Sequence, residues 1–392
     1  MESVTTVTMS RGDINFVVNT RLSVEVLCRF LRSRPAATLI EGGRFHRAML
    51  DSGAIRRVDR SGMLEIVASL PTQLLEGYRN AESVRIDLGD ARRVFLAGMG
   101  GSGIAGDLFV AWASDRSKLG MEVVRGYHCP ATAQRGDVMI ALSYSGDTEE
   151  TLSAVAAAEK VGCRVIGITS NGKLAALCTS RGYPLIRVPP GLPPRGAFGH
   201  LFASLPAISE DWVYGDLGNE LERAAAHLMR LREDYGVGVA VRSNPAKALA
   251  VKVRGKTPIV YAAPPYGPVA TRWKTQFNEN SEVLAWASQF PEADHNEIVG
   301  WGGDPSARRF LPILLRDREE SPEMARRLDA TKKIMSRWTK VYEIRDRGET
   351  LLSRMLGILF LGDFASVYLA VLRNVDPTPV KPIVELKKRL AA

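Results

Sequence analysis

Cysteine and histidine are scarce in this chain of 392 residues, with four of the first and five of the second. Cys28, Cys129, Cys163 and Cys178 show no CxxC spacing, which argues against a disulfide scaffold or a zinc ribbon and suits a reducing cytoplasm. No two histidines stand at metal-ligand spacing, so no metal is expected. Long apolar runs are missing too. Met355 to Phe360 is short and is soon followed by Gly362 and Asp363, so no membrane span is expected. Basic blocks are also absent. The net charge of +9 comes from 52 basic and 43 acidic residues, but they are scattered, which disfavours nucleic acid and leaves a general preference for anionic substrates. Residues 1–55 contain arginine but no lysine and little periodicity beyond Val24 to Leu31. They show no signal-peptide core. They are read as an extension that is disordered or misannotated, with Met49 or Met63 nearer the true start.

What the chain does have is Val94 to Asp107, VFLAGMGGSGIAGD. Four apolar residues make a buried strand, four glycines follow with Ser102 among them, and a helix is expected from Ile104 to Ala113. Strand, glycine loop and helix form an anion cradle, because exposed N–H groups at a helix start point at the ligand. Around this stretch, strands and helices alternate. Helical spacing begins at Asp59 and is broken by Pro71. Strands are expected at 120–125, 137–143, 164–169 and 184–188, with an alanine-rich helix at 147–161. The second half repeats the pattern: strands at 257–262, 310–315 and 338–344, a weaker one at 237–241, and helices at 217–231, 268–288, 322–336, 350–371 and 382–390. Such alternation builds βαβ units and parallel sheets.

GMGGSG matches GxGxxG, a weak dinucleotide signal when alone. An acidic residue would then close the second strand, and Val123 to Gly126 offers Arg125 instead, which suits only a 2′-phosphate. The stronger companion is Ser143 to Thr151, SYSGDTEET. It also follows a strand and opens a helix. Ser143, Ser145, Thr148 and Thr151 gather hydroxyls there, and hydroxyls with free N–H groups hold a phosphate monoester without a metal. Ordinary capping by Ser145 or Asp147 with Glu149 and Glu150 explains one or two of these residues, but not four.

The pair GMGGSG and SYSGDTEET resembles the sugar isomerase (SIS) domain. PPGLPPRGAFGH at 189–200, RWKTQFNEN at 272–280, FPEADHNEIVGW at 290–301 and DPTPVKPIVELKKRL at 376–390 narrow this to the bifunctional phosphoglucose/phosphomannose isomerases. The resemblance covers Arg60 to Leu390. It implies an α/β fold: two SIS-type αβα sandwich domains with parallel sheets, plus a C-terminal helix. The expected division is an extension at 1–55, domains at 56–215 and 216–375, and a helix at 376–392 that contributes to the active site.

The same resemblance implies metal-independent, cofactor-free interconversion of glucose 6-phosphate and mannose 6-phosphate with fructose 6-phosphate, through a cis-enediolate. Proton transfer between C2 and C1 asks for a carboxylate. Glu279 matches it, and two flanking asparagines in a helical stretch are a local inconsistency of the sort found at sites. His295 matches the ring-opening acid, which in relatives reaches the neighbouring subunit's site, so a homodimer is expected. Arg195 matches the cation that stabilises the enediolate. Lys387 matches the C-terminal lysine, with Lys388 as the alternative. Gly100, Gly101 and Ser102 are expected to line the sugar, and Ser143, Ser145 and Thr148 to hold the phosphate. Departures are small: Asp147 stands where relatives often have Asn, and Phe198 where an aliphatic residue is common. Two rivals stay open, an isomerase of another phosphosugar and a non-catalytic phosphosugar sensor.

Overall fold

The computed structural model describes residues 50–86 and 88–390, so residues 1–49 of the extension expected at 1–55 lie outside the described residues, while residues 50–55 are ordered, with Leu50, Ala54 and Ile55 in the core. From residue 50 on, the chain belongs to one compact unit. Helix α1 (Ser52–Val58) is capped by Asp51, which accepts from the Ala54 amide at 2.7 Å, and Ile55 and Val58 enter the core. Helices α2 (Met63–Ala68) and α3 (Leu70–Ala81) follow. They are the two halves of the periodic stretch broken by Pro71, which sits in the first turn of α3, where a missing N–H goes unnoticed.

The first sheet is built from β1 (Arg93–Gly98), β2 (Gly120–Val124), β3 (Val138–Leu142), β4 (Arg164–Thr169) and β5 (Leu185–Arg187), in the order β2-β1-β3-β4-β5. All pairs are parallel. Helices α4 (Gly100–Ala113), α5 (Glu149–Val161) and α6 (Gly172–Arg181) make the crossovers. After α7 (Phe198–Ala207), α8 (Leu217–Tyr235) and α9 (Pro245–Val253), the second sheet has β6 (Thr257–Ala262), β7 (Trp286–Gln289), β8 (Phe310–Leu315) and β9 (Tyr342–Ile344). Its order is β7-β6-β8-β9, again parallel. Helices α10 (Gly267–Ser281), α11 (Glu297–Gly303) and α12 (Pro322–Met335) accompany it, and α13 (Leu351–Arg373) and α14 (Lys381–Leu390) end the described chain. β6, β7, β8 and β9 repeat the order of β1, β2, β3 and β4, so the doubling expected from the sequence is a doubling of topology.

Three local expectations need correction. Helix α4 starts at Gly100, not at Ile104. Gly100 has φ +50, and a Cβ on Gly103 would stand 2.5 Å from the Gly98 carbonyl oxygen. Glycine thus lets the strand turn directly into the helix, and the cradle is the first helical turn itself. The helix expected over 268–288 ends at Ser281, where Glu282 adopts φ +49, and the chain re-forms as β7. No glycine announces that stop. Residues 237–241 are turns, not a strand; the carbonyls of Val237 and Val239 turn inward onto the Lys247 ammonium at 2.7 and 2.9 Å.

The core runs through both halves. Helix α13 packs against α8, α9 and α10 and touches α1 and α2. It is apolar and long enough to cross a membrane, longer than the run read from the sequence, yet its apolar window is wholly buried inside the protein. The second sheet separates two layers. Val260 and Ala262 of β6 face the shared core with α10 and α13, while Tyr261 faces a separate cluster with Phe290, Ala293, Trp301 and Leu328. This is the alternation of a strand buried on both faces.

Candidate active site

Arg195 is where the elements meet. It lies in a short turn after PPGLPP and is 4% exposed. Its Nε donates to Asn280 Oδ1 at 2.6 Å, and Nη1 reaches Glu279 Oε2 at 3.4 Å. Nη2 donates to the carbonyls of Pro377 and Thr378 at 2.5 and 3.1 Å. The glycine loop touches the same residue: a Cβ on Gly101 would stand 3.1 Å from Arg195 Cα and 3.3 Å from the Pro194 carbonyl. One side chain thus joins α10, the segment before α14 and the loop that opens α4. Burial lowers the pKa of Arg195; Glu279 opposes that shift and the neighbouring Arg272 adds to it. A guanidinium held in a dry site by four acceptors is a preorganised charge.

Several residues that sequence reasoning passed over hold Arg195 in place. Arg272, on α10 about two turns before Glu279, donates to the Arg195 carbonyl at 3.2 Å and makes a buried bidentate pair with Asp363, 2.6 Å at its shortest. Asn280 Nδ2 donates to Ser366 Oγ at 2.9 Å. Gln73 donates to the Gly196 carbonyl at 2.9 Å and accepts from the Gly199 amide at 3.1 Å. Tyr144, inside SYSGDT, donates to the Pro189 carbonyl at 2.9 Å and accepts from the Leu192 amide at 2.8 Å, so the SYSGDT loop also fixes the proline loop. The only available signal was position: Arg272 and Asn280 flank Glu279 within one motif.

The second anion loop is compact. Ser143 Oγ donates to Thr148 Oγ1 at 2.9 Å and accepts from the Gly146 amide at 3.2 Å. Ser145 Oγ accepts from the Asp147 amide at 3.3 Å. Ser102 Oγ accepts from the Tyr144 amide at 3.2 Å, tying the two loops together. Capping does not absorb these groups. Thr148 is the N-cap of α5 and makes no side-chain cap, and Asp147 turns to the Lys173 amide instead, at 3.0 Å. Thr151 is buried, with Oγ1 unpartnered, apart from the cluster's hydrogen bonds.

His295 and Lys387 are not brought to Glu279 within this chain. His295 ends a short 3₁₀ turn and is exposed. Its neighbours are committed inward. Asp294 accepts from Thr331 at 2.7 Å, Glu297 accepts from Tyr261 at 2.8 Å, and Asn296 caps α11 while donating to Glu292. Within DHNE, His295, Asn296 and Glu297 are all exposed, and His295 is the member with no side-chain hydrogen bond among the described residues. It belongs to the layer of Ala293 and Trp301, across the second sheet from α10 and Glu279. Lys387 lies on α14, all of whose residues are exposed.

Residues 87–179 match the family model of the SIS domain, and residues 242–390 match that of the bacterial phospho-glucose isomerase C-terminal SIS domain. A bifunctional phosphoglucose/phosphomannose isomerase of Caldicellulosiruptor bescii is 37% identical over 335 residues, 84% of this chain and 99% of the relative. One of Aquifex aeolicus is 33% identical over 326 residues, 81% of this chain and 97% of the relative. A D-glucosamine-6-phosphate 4-epimerase of Sulfolobus acidocaldarius is 28% identical over 300 residues, 76% of this chain and 89% of the relative. Among solved structures, a hypothetical protein from Thermus thermophilus superposes with a TM-score of 0.65 at 18% identity, covering 93% of this chain and 99% of the other.

Proposed function

This chain belongs to the bifunctional phosphoglucose/phosphomannose isomerase family, and from that we propose how it interconverts glucose 6-phosphate and mannose 6-phosphate with fructose 6-phosphate. Ser143, Ser145, Thr148 and the amides of their loop bind the phosphate. Gly100, Gly101 and Ser102 line the sugar. A histidine opens the ring by giving a proton to the ring oxygen. Glu279 takes the C2 proton and returns it to C1. Negative charge grows on O1 and O2 of the cis-enediolate, and Arg195 and Lys387 stabilise it, so the reaction needs no metal. Both aldoses are substrates because they differ only at C2, and rotation about C2–C3 in the open chain presents either proton to Glu279.

The observation that carries this reading is the contact of buried Arg195 with Glu279 at 3.4 Å, beside the Gly101 turn. It couples a base to a fixed cation next to an anion cradle. The histidine is His295 of a second copy. What supports a homodimer is the face on which His295 stands, opposite the layer of Glu279. The working compartment is the cytoplasm, which suits the free thiols of Cys129, Cys163 and Cys178.

The test is turnover of mannose 6-phosphate to fructose 6-phosphate in EDTA. Steady product formation is expected with both aldoses. No turnover of either would overturn the substrate assignment, and turnover lost to EDTA would overturn the metal-free mechanism.

A further inference from the structure

We propose that α14 is a docking arm: its apolar stripe seats in the cleft beside His295 of a second copy. The proposal rests on the homodimer reading above and adds the surface that forms it. All ten residues of α14 are exposed, and its large apolar side chains among them are Ile383 at 41%, Val384 at 49%, Leu386 at 56% and Leu390 at 76%. A helix this short is marginal in water without a partner. At 100° per residue, Ile383, Leu386, Lys387 and Leu390 share one face, and Lys381, Glu385 and Lys388 share the other.

The cleft that fits this stripe has a volume of about 390 Å³ and an apolar lining of Ile259, Tyr261, Trp301, Ala307 and Phe310. Its rim carries Glu297 and Asp304. Opposite them, α14 brings Lys387 on the face of its apolar stripe, while Lys381 and Lys388 lie on the other face and Arg389 pairs with Glu385 at 2.6 Å. An amphipathic basic helix and an apolar groove with an acidic rim are complementary in both shape and sign.

A chain's own arm does not suit its own cleft. The cleft is on the face of the second sheet that Tyr261 and Trp301 occupy, and the arm starts on the other face. There, the carbonyls of Pro377 and Thr378 are bonded to Arg195, three residues before α14 begins. Within one chain the arm does not occupy the cleft: all ten residues of α14 are exposed and none of them lines it. A second copy removes the problem. Asn296 and Glu297, next to the partner's His295, form the rim of the cleft, and the arm is rooted at Arg195 and Glu279. One contact therefore covers the apolar stripe and carries the partner's His295 toward the site. It also chooses between the lysines, because Lys387 lies on the docked face and Lys388 on the solvent face.

The double variant Leu386→Asp, Leu390→Asp tests the arm. Each docked leucine is worth about tenfold or more in dissociation constant, and a symmetric dimer holds two arms, so a rise of at least about a hundredfold is expected by analytical ultracentrifugation. The thermal transition of the dissociated chain should match the parent's at equal dissociation, because α14 has no packing within its own chain to lose. Lys388→Ala should leave the dimer as it is. A double variant that dimerises as tightly as the parent overturns the proposal. Leu386→Cys with Ile259→Cys, joined by a short bismaleimide, should give a covalent dimer; a chain linked only to itself, or no link, overturns it. Mixing Glu279→Gln with His295→Asn chains tests the shared site separately. Restored activity with tight arm variants removes the arm and keeps the shared site. A dead mixture with dissociating arm variants removes the shared site and keeps the arm.

Discussion

Arg195→Lys separates a bare positive charge from a guanidinium that organises the site. The arginine uses four of its five N–H groups on Asn280, Glu279 and the carbonyls of Pro377 and Thr378. A lysine keeps the charge but places its three N–H groups at one point, so it cannot serve α10 and the 377–378 backbone together. Hydrogen bonds to a charged group are worth about 1.5–3 kcal/mol each. With one or two of four retained, two or three are lost and the fold should lose roughly 3–9 kcal/mol, which lowers the melting temperature by roughly 4–13 °C. The larger effect is on the chemical step. Loss of a preorganised donor to a developing oxyanion costs about 10²–10³ in kcat. KM should move only a few-fold, because the phosphate is held by the Ser143 loop. Steady-state rates on glucose 6-phosphate and mannose 6-phosphate measure both quantities. A variant that keeps a third of the parent kcat would refute the organising role. An unchanged kcat with KM raised a hundredfold would place Arg195 on the phosphate instead.

Glu279→Gln should lower kcat by about 10³ while phosphosugar binding, read by calorimetry, stays within a few-fold; loss of binding and rate together would mean that the base lies elsewhere. His200 is 4% exposed with Nδ1 unpartnered, and burial pushes its pKa below the usual 6.5. Below pH 6.5 the unfolded chain takes a proton that the folded chain refuses, so stability should fall as the pH drops from there, with a slope of up to about 1.4 kcal/mol per pH unit. Urea midpoints between pH 5 and 7.5 should show that His200→Gln flattens this slope, and an unchanged slope would assign the acid sensitivity to another group.

The central strands of the first half, β1, β3 and β4, were legible because each holds a continuous apolar run with a turn signal at its end. Residues 93–98 and 164–169 form where periodicity places them. What escaped was set by contacts distant in sequence. β7 is a four-residue strand with mixed exposure, and its pairing with β6, not its own pattern, makes it a strand. The site divides along the same line. Glycines and hydroxyls mark an anion loop locally, so both loops could be read. Tyr144, Arg272 and Asp363 act through hydrogen bonds to partners 45 to 91 residues away, and nothing near them in sequence announces that. DHNE was read as one polar cluster, yet Asp294, Asn296 and Glu297 are each hydrogen-bonded to a neighbour and His295 is not. That distinction needs Thr331 and Tyr261, which lie elsewhere in the chain.

The doubled topology raises the question of why the proposed phosphate site lies in one half alone. β6 and β8 stand where β1 and β3 stand, and open α/β sheets bind ligands outside the carboxyl ends of such a pair. In the first half those ends lead into GMGGSG and SYSGDT. In the second they lead into Ala263-Pro264-Pro265-Tyr266 and Arg316-Asp317-Arg318-Glu319-Glu320-Ser321. A cavity of about 410 Å³ does lie there, but its polar lining is Asp317, Glu319, Glu320, Ser321 and Arg354. Prolines replace the amides that glycines would free, and the hydroxyl of Ser321 is spent capping α12. The cations are spent as well: Arg354 pairs with Asp317 and Glu319, and Arg316 with Glu320, Asp329 and Glu343. A phosphate would meet the carboxylates of Asp317, Glu319 and Glu320 against one lining cation, Arg354, that two of them already pair, at a cost of about 4 kcal/mol for each pair of like unit charges 4 Å apart at an effective dielectric of 20. The second crevice is therefore unsuited to the ligand proposed for the first. Freed from binding phosphate, the second half presents Glu279 on its inner layer and His295 on its outer one, an arrangement that suits a site shared between two copies.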